Sequence, residues 1–382
     1  MIEDSIASNA PASVSRNRSL RLTNASDVRP RRVKWLLTNL IPVGTITVLA
    51  GDSGIGKSTL ALSWAAAATK GDLDGDFSET PSPVLIVSPE DDPAAVTRPR
   101  LEAAGADLHQ ARFVSVTSHT QTGAVDGTVS LPGDLPLIEL AIAQTGARLI
   151  IVDPIASTLS GNLDRREDVR ASFDRLAVLA QQREVAILLI AHNRKGMDRV
   201  RQRISGSAAI TDAARSVLVI ARDEETGRVV LSADKSSYSK AEGLSLAYEI
   251  CEVSLPTSGG DVVETTRAIL CGESSISVAE LYERQVEDVD RRKRRNPAQQ
   301  YLLDFLEQQP QRQSPADEAI RQGQEAGFSE GHLQDARRRC KNPEISTWKD
   351  GFSGGWIWGI QENKSKTDGL ATVTKMAKAA GS

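Results

Sequence analysis

Gly51-Asp52-Ser53-Gly54-Ile55-Gly56-Lys57-Ser58, continued by Thr59, has the spacing of a phosphate-binding loop. Glycines at these intervals let the backbone curl until its N–H groups point at phosphate oxygens, and a helix opening at Ser58 adds the positive end of its dipole. In such a loop Lys57 reaches the terminal phosphates of a nucleotide and the Ser58 hydroxyl holds Mg²⁺. Three further groups are candidates to complete the chemistry. Asp153 ends the apolar run 149–152, where a carboxylate can order the water shell of the Mg²⁺. Glu90, in Pro89-Glu90-Asp91-Asp92 after the run 84–88, is the candidate for polarising an attacking water, with Asp91 as the alternative. His192 follows the run 185–191 and is placed to sense the terminal phosphate.

Those groups work only if the chain brings them to one edge. Apolar runs at 46–50, 84–88, 149–152, 185–191 and 216–221 are short and continuous, as in strands buried on both faces. Helical stretches at 58–69, 93–104, 135–145 and 168–182 separate most of them. The alternation predicts an α/β fold with a parallel, doubly wound sheet whose carboxyl edge collects the ligand. Residues 228–233 and 244–253 read as later, antiparallel strands. The expected organisation is an N-terminal arm over 1–30, an ATPase domain over 31–272, a charged linker over 273–296, a small α+β unit over 297–361 and a polar tail over 362–382.

With 46 basic and 50 acidic residues the chain carries −4, split as −9 over residues 1–290 and +5 over 291–382. The near-neutral total therefore does not exclude a nucleic-acid partner. Three cysteines, Cys251, Cys271 and Cys340, lie far apart with no CxxC pair, which argues against a disulfide framework or a cysteine zinc site and suits a reducing cytoplasm. The first fifteen residues lack a signal-peptide pattern, and the uncharged stretch 35–51 is broken by Asn39, Pro42 and Gly44, so the expectation is a soluble, cytoplasmic chain.

Residues beyond the loop narrow the branch of phosphate-loop proteins. Asn193-Arg194-Lys195-Gly196-Met197-Asp198 has the wrong spacing for a guanine-reading motif, and no LSGGQ-type transporter signature is present. A catalytic carboxylate on the strand after the phosphate-loop helix, with the Mg²⁺ aspartate on a later one, resembles the RecA-like ATPases. In more detail, residues 35–71, VLIVSPEDDPAAVTRPRLEAAGAD, LIIVDPIAS, LLIAHNRKG, GSAAITDAARSVLVIARD and ADKSSYS resemble, in order, the RepA-type family of hexameric helicase ATPases over about two thirds of the chain. The resemblance implies that Glu90 is the general base and that His192 contacts the terminal phosphate. It also implies a homo-oligomer, a hexameric ring, in which Arg215 and Lys235 reach the ATP site of a neighbouring subunit; Ser239 stands where the family often has glycine.

Two surfaces are candidates for DNA. Residues 194–203 hold five basic side chains and one acid, and in a RecA-like ring Arg199, Arg201 and Arg203 would face single-stranded DNA in the channel; residues 157–166 are a second candidate loop. Residues 297–360 read as three helices and a hairpin, resembling a winged helix, with Ser314-Pro315 opening the second helix, Ser329 capping the third, and Trp348, Trp356 and Trp358 as anchors. Arg337, Arg338 and Lys341 would stand on the helix offered to duplex DNA. The expected function is an ATP-dependent, ring-forming motor acting on DNA, a helicase in replication of a plasmid, phage or other mobile element. The alternatives are a nucleotide-controlled DNA-binding regulator or loader, and a recombination or repair ATPase of the same fold.

Overall fold

In the computed structural model the described residues are 20–120, 123–161, 165–192, 208–240, 243–256, 259–285, 296–341, 343–350 and 354–361, and the chain divides into two units, Met1–Leu281 and Tyr282–Ser382. The first is built on nine strands: β1 (Ile46–Gly51), β2 (Val84–Val87), β3 (Ala111–Phe113), β4 (Leu149–Val152), β5 (Ala186–His192), β6 (Ser216–Arg222), β7 (Val229–Ser236), β8 (Ser245–Pro256) and β9 (Val262–Glu273). Their order in the sheet is β9-β8-β7-β6-β1-β5-β4-β2-β3. From β6 to β3 every pairing is parallel, while β7, β8 and β9 extend the β6 side antiparallel. β1, β2 and β4 are buried at every position, which is why they read as unbroken apolar runs rather than alternating ones. The expected parallel α/β fold is present, with β3 and β9 added to the strands legible in the sequence.

Helix α1 (Lys57–Lys70) follows β1 directly and buries ten of its residues, because the sheet covers one side and the β8–β9 hairpin the other. Its alanines suit that double burial, since small side chains let both layers approach. Trp64 meets Tyr248 of β8 edge to face at 6.4 Å, and the Ala268 amide of β9 donates to Ser63 Oγ at 3.0 Å. Gly71, left-handed at φ 78°, stops the helix by donating its amide to Ala67 and Ala68. The expected single helix over 93–104 is instead a π-helical turn (Pro93–Thr97), capped by the Asp92 carboxylate, running into α2 (Arg98–Ala103). Helix α3 (Leu135–Thr145) precedes β4, and α4 (Arg166–Arg183), between β4 and β5, turns Val169, Phe173, Leu176 and Ala180 inward. Helix α5 (Ala208–Ala213) leads into β6.

At the start of the expected domain, Arg31 and Lys34 pair with Glu184 and Arg32 pairs with Asp76, so the first residues after the expected arm are tied to the rest of the unit by ion pairs. Past β9 the first unit continues further than the expected boundary: Val278 is fully buried and its amide donates to Ser232 Oγ at 2.9 Å. The remainder of the expected linker, residues 286–295, lies outside the described residues, as do residues 1–19 and 362–382 of the arm and tail.

The second unit contains α6 (Pro297–Glu307), β10 (Gln313–Pro315), α7 (Ala316–Glu325), α8 (Glu330–Arg339), β11 (Glu344–Lys349) and β12 (Trp356–Gln361), with sheet order β10-β12-β11. Asn296 and Gln299 form a reciprocal capping box at α6, and Ser329 caps α8 as expected. Ser314 and Pro315 do not open α7 as a cap and first turn. They are strand residues paired with Trp358 and Ile357, which places Pro315 at the cap position without a side-chain bond. The core joins Leu302, Leu303, Leu306, Ala319, Leu333, Ala336, Cys340, Ile345 and Trp358. Of the three expected tryptophan anchors Trp358 is buried and Trp348 lies over Gly359, but Trp356 is 53% exposed.

Candidate functional site

The loop 51–58 bridges the carboxyl end of β1 and the start of α1. Gly56 is its cap residue at φ 104°, a left-handed conformation that any side chain would strain. Gly51 is required for a different reason: a Cβ there would stand 2.8 Å from both the carbonyl oxygen and Cγ1 of Ile220, its partner across the β1–β6 pairing. Asp52, Ser53 and Gly54 are exposed at the tip, and Ile55 is buried beneath them. The Lys57 ammonium folds back to donate to the carbonyls of Gly51 at 2.9 Å and Asp52 at 2.7 Å. Burial brings its pKa down to about 8, against the pull of Asp153 and Asp52. Thr59, expected among the nucleotide contacts, turns its hydroxyl to Thr266 of β9 at 3.1 Å, so its side chain serves the packing of the hairpin on α1.

Asp153 follows β4, one residue past the sheet edge, with its amide bonded to Val87 of β2 at 2.9 Å. Its carboxyl is buried, which raises its pKa; a hydrogen bond with Ser58 and the nearby charges of Lys57 and His192 pull the other way. A hydroxyl and a carboxylate joined in this way are hard oxygen donors, the kind Mg²⁺ takes one or two of while phosphate and water fill its other positions. Among the described residues no cluster of three His, Cys, Asp or Glu forms a fuller cage. The donor set therefore fits Mg²⁺ held jointly with a phosphate.

Glu90 lies beyond β2, and its Oε1 accepts from the hydroxyl of Ser157, in the short turn Ile155–Ser157 after Asp153. Asp91 is engaged by Arg100 at 3.3 Å, and Asp92 caps the π-helical turn, so of the three acids Glu90 is the one not committed to the following helix. His192 ends β5 level with Gly51. Its pKa is lowered, first by partial burial and then by Lys57, while Asp153 and Glu90 oppose the shift. Phosphate loop, Asp153, Glu90 and His192 thus meet at one sheet edge, which is where a terminal phosphate, a metal and an attacking water could share a site.

Arg215 and Lys235 do not join them. Arg215 donates its amide to Ile46 at the start of β1, and Lys235 pairs with Val217 at the start of β6, so both sit at the opposite edge. The Lys235 ammonium donates to the carbonyls of Thr211 at 2.9 Å and Asp212 at 3.1 Å, closing the end of α5, and burial followed by Arg215 lowers its pKa. Arg215 and Tyr238 line a groove of about 560 Å³ there, with Arg31, Lys34 and Arg170 on its wall. Asn193, Arg199, Arg201 and Arg203 lie outside the described residues. In the second unit the Arg337 guanidinium lies 5.6 Å from the Trp358 ring centroid, Arg338 pairs with Asp335 at 2.6 Å and Lys341 with Glu344 at 3.4 Å. Two features of the site carry no signal in the sequence: Ser157, whose link to Glu90 no spacing announces, and the cover that Ile250 of β8 places over Gly56.

Residues 12–198 match a family model described as an AAA domain. A KaiC-like protein from the hyperthermophilic archaeon Pyrococcus horikoshii is similar in structure at 18% identity and a TM-score of 0.40, over 61% of this chain and 98% of that one. No curated protein matches. The first unit thus combines a mostly parallel α/β sheet with a phosphate loop and acids at its carboxyl edge, and over residues 12–198 the chain is similar to the AAA-domain model. Among the described residues no helix is long and apolar enough to cross a membrane.

Proposed function

We propose that the protein is an ATP-hydrolysing motor that assembles as a ring, a hexamer by the RepA-type resemblance, and acts on single-stranded DNA as a helicase of a mobile element. The observation that carries the hydrolytic half is the convergence of Lys57, Ser58, Asp153, Glu90 and His192 on one edge. Lys57 would leave the loop carbonyls for the terminal phosphates, Glu90 would accept the proton of the attacking water, and neutral His192 would hydrogen-bond the phosphoryl oxygens. Mg²⁺ held by Ser58 and Asp153 would supply charge neutralisation at the phosphates.

The assembly half is supported by the position of Arg215. It is too far along the sheet to serve its own phosphate loop, and it stands in a groove where Arg31 and Lys34 are paired with Glu184 and Arg170 with Asp174, while the opposite edge exposes Asp52 and Glu90. Copies stacked edge to edge would place Arg215 at a neighbour's phosphates, where its charge would meet the transferring phosphoryl group. Lys235 has a competing role within its own subunit, holding the end of α5. DNA is supported by the basic composition of residues 194–203, which lie between His192 and α5 in the sequence. The order helix, strand, two helices, two strands in the second unit supports the winged-helix reading. The test is Mg²⁺-dependent ATP hydrolysis with and without single-stranded DNA, followed by strand displacement. Hydrolysis that DNA leaves unchanged would leave an ATPase without the motor, and duplex binding without unwinding would favour the regulator or loader.

A further inference from the structure

The positive charge of residues 291–382 does not come from the described residues 296–361. Residues 296–361 hold seven basic and nine acidic side chains, whereas 291–295 are all basic and 362–382 hold four basic and two acidic. Of the three cations expected to face duplex DNA, two are offset locally: Arg338 shares Asp335 with Arg339, and Lys341 pairs with Glu344. A duplex-reading helix depends on phosphate neutralisation for most of its affinity, and α8 offers little net charge for it.

What the unit does offer is an aromatic face. Strand periodicity puts Trp356, Trp358 and Ile360 on one side of β12, with Thr347 and Lys349 opposite Trp358 and Trp356 on β11. Trp358 is buried and covered by Arg337. Trp356 continues the same face beyond the core, 53% exposed, with the Lys349 ammonium 5.7 Å from its ring centroid. It is the most exposed large aromatic side chain among the described residues of this unit. An open indole flanked by one cation over its own ring and another over the adjoining ring presents a stacking plane with phosphate partners on either side.

We infer that the face made by Trp356, Lys349 and Arg337 binds single-stranded nucleic acid, an unpaired base stacking on Trp356 while Lys349 meets the adjacent phosphate. A base in a duplex cannot reach such a plane, so the face selects unpaired strands, and the basic runs on either side of the unit would add affinity without selectivity. The inference deepens the proposed action on DNA and rests on that reading only for the source of the strand.

The test uses the full chain without nucleotide. A thymidine-rich oligonucleotide carrying 5-iododeoxyuridine is crosslinked by light and the attached peptide mapped, and binding of the plain oligonucleotide and of a duplex of equal length is followed by anisotropy. The crosslink is expected on Trp356. Trp356→Ala is expected to weaken single-strand binding about tenfold and leave duplex binding unchanged, with Trp356→Phe retaining most of the affinity and Lys349→Ala flattening its salt dependence. Thermal melts check that each variant folds. Crosslinks confined to residues 194–203 with wild-type binding by Trp356→Ala would overturn the inference. So would an equal loss on single strand and duplex, or a changed oligomeric state with DNA binding intact, which would mark the face as a protein contact. ATP hydrolysis in the absence of DNA is expected to be unaffected by Trp356→Ala. A wild-type enzyme that crosslinks through Trp356 yet shows no DNA-stimulated hydrolysis would remove the motor reading and keep the stacking face.

Discussion

The hydroxyl of Ser157 donates to Oε1 of Glu90, joining the turn after β4 to the acid after β2. The bond leaves Oε2 of Glu90 for a water and fixes the carboxylate's direction, so Ser157 is a positioning residue for the proposed base. Ser157→Ala is expected to lower ATP turnover by roughly two- to tenfold, the worth of one such bond, with ATP affinity unchanged. Ser157→Thr, which keeps the hydroxyl, should restore most of it. Turnover and equilibrium binding measured on the three proteins decide it, and full activity in the alanine variant would show that the bond directs nothing.

Glu90→Gln keeps the shape of the side chain and removes its basicity. ATP binding should persist while turnover falls by about 10² to 10⁴. Single-turnover hydrolysis alongside nucleotide binding separates the two effects. An unaffected rate would shift the base to Asp91, which Arg100 now holds.

Lys57 gives the site a pH dependence with a definite sign. Its folded pKa is lowered to about 8 by burial, so above that pH the unliganded loop holds a neutral amine. Phosphates favour the charged form, so binding takes up a proton there and ATP affinity should fall as pH rises from 8 towards 10. Below pH 8 Lys57 is already charged and affinity should be flat. Titration calorimetry in buffers of different ionisation enthalpy reads the proton uptake directly, and Lys57→Ala should abolish it.

If Arg215 completes a neighbour's site, Arg215→Ala and Glu90→Gln subunits should each be nearly inactive alone and recover part of the activity when mixed. In a mixed assembly some sites combine an intact Glu90 from one copy with an intact Arg215 from the next. Absence of recovery under conditions where the copies exchange would place Arg215 outside the shared site.

Gly51→Ala tests the contact between β1 and β6. The added methyl meets backbone at Ile220 and cannot be relieved by a side-chain rotation, so a loss of about 1–3 kcal/mol in unfolding free energy is expected. Denaturant melts measure it, and Gly54→Ala is the comparison, since nothing lies within 4 Å of its Cβ position, although its φ of 76° adds strain.

The phosphate loop and the central strands were legible because their signals are local: a fixed glycine and lysine spacing, and apolar runs that burial on both faces makes continuous. The β8–β9 hairpin was only half legible. β9, Val262–Glu273, mixes exposed and half-buried positions without clean alternation because it covers α1 rather than entering the core. Ser157 escaped because its partner lies 67 residues earlier, and only the β2–β4 pairing brings them together. The tryptophans misled for a related reason: composition marks Trp348, Trp356 and Trp358 alike, and although Trp356 and Trp358 share one face of β12, only the extent of the core beneath it distinguishes the buried Trp358 from the open Trp356. Charge by segment likewise located an excess of cations in residues 291–382 without revealing that it lies outside residues 296–361.

The pairing of β1 with β6, Thr47 beside Ser216 through Gly51 beside Ile220, acquires a mechanical meaning once both ends are considered together. One end carries the phosphate loop and the other Arg215, roughly 15 Å away at the strand rise of about 3.3 Å per residue. Both strands are enclosed on either face, and interiors so packed transmit strain with little compression. The pair is therefore a strut. If Arg215 serves another copy, its backbone cannot advance or withdraw by bending this support, so a displacement beyond the reach of its side chain would come from tilting the whole domain. Each subunit would behave as a lever whose two tips are fixed relative to one another.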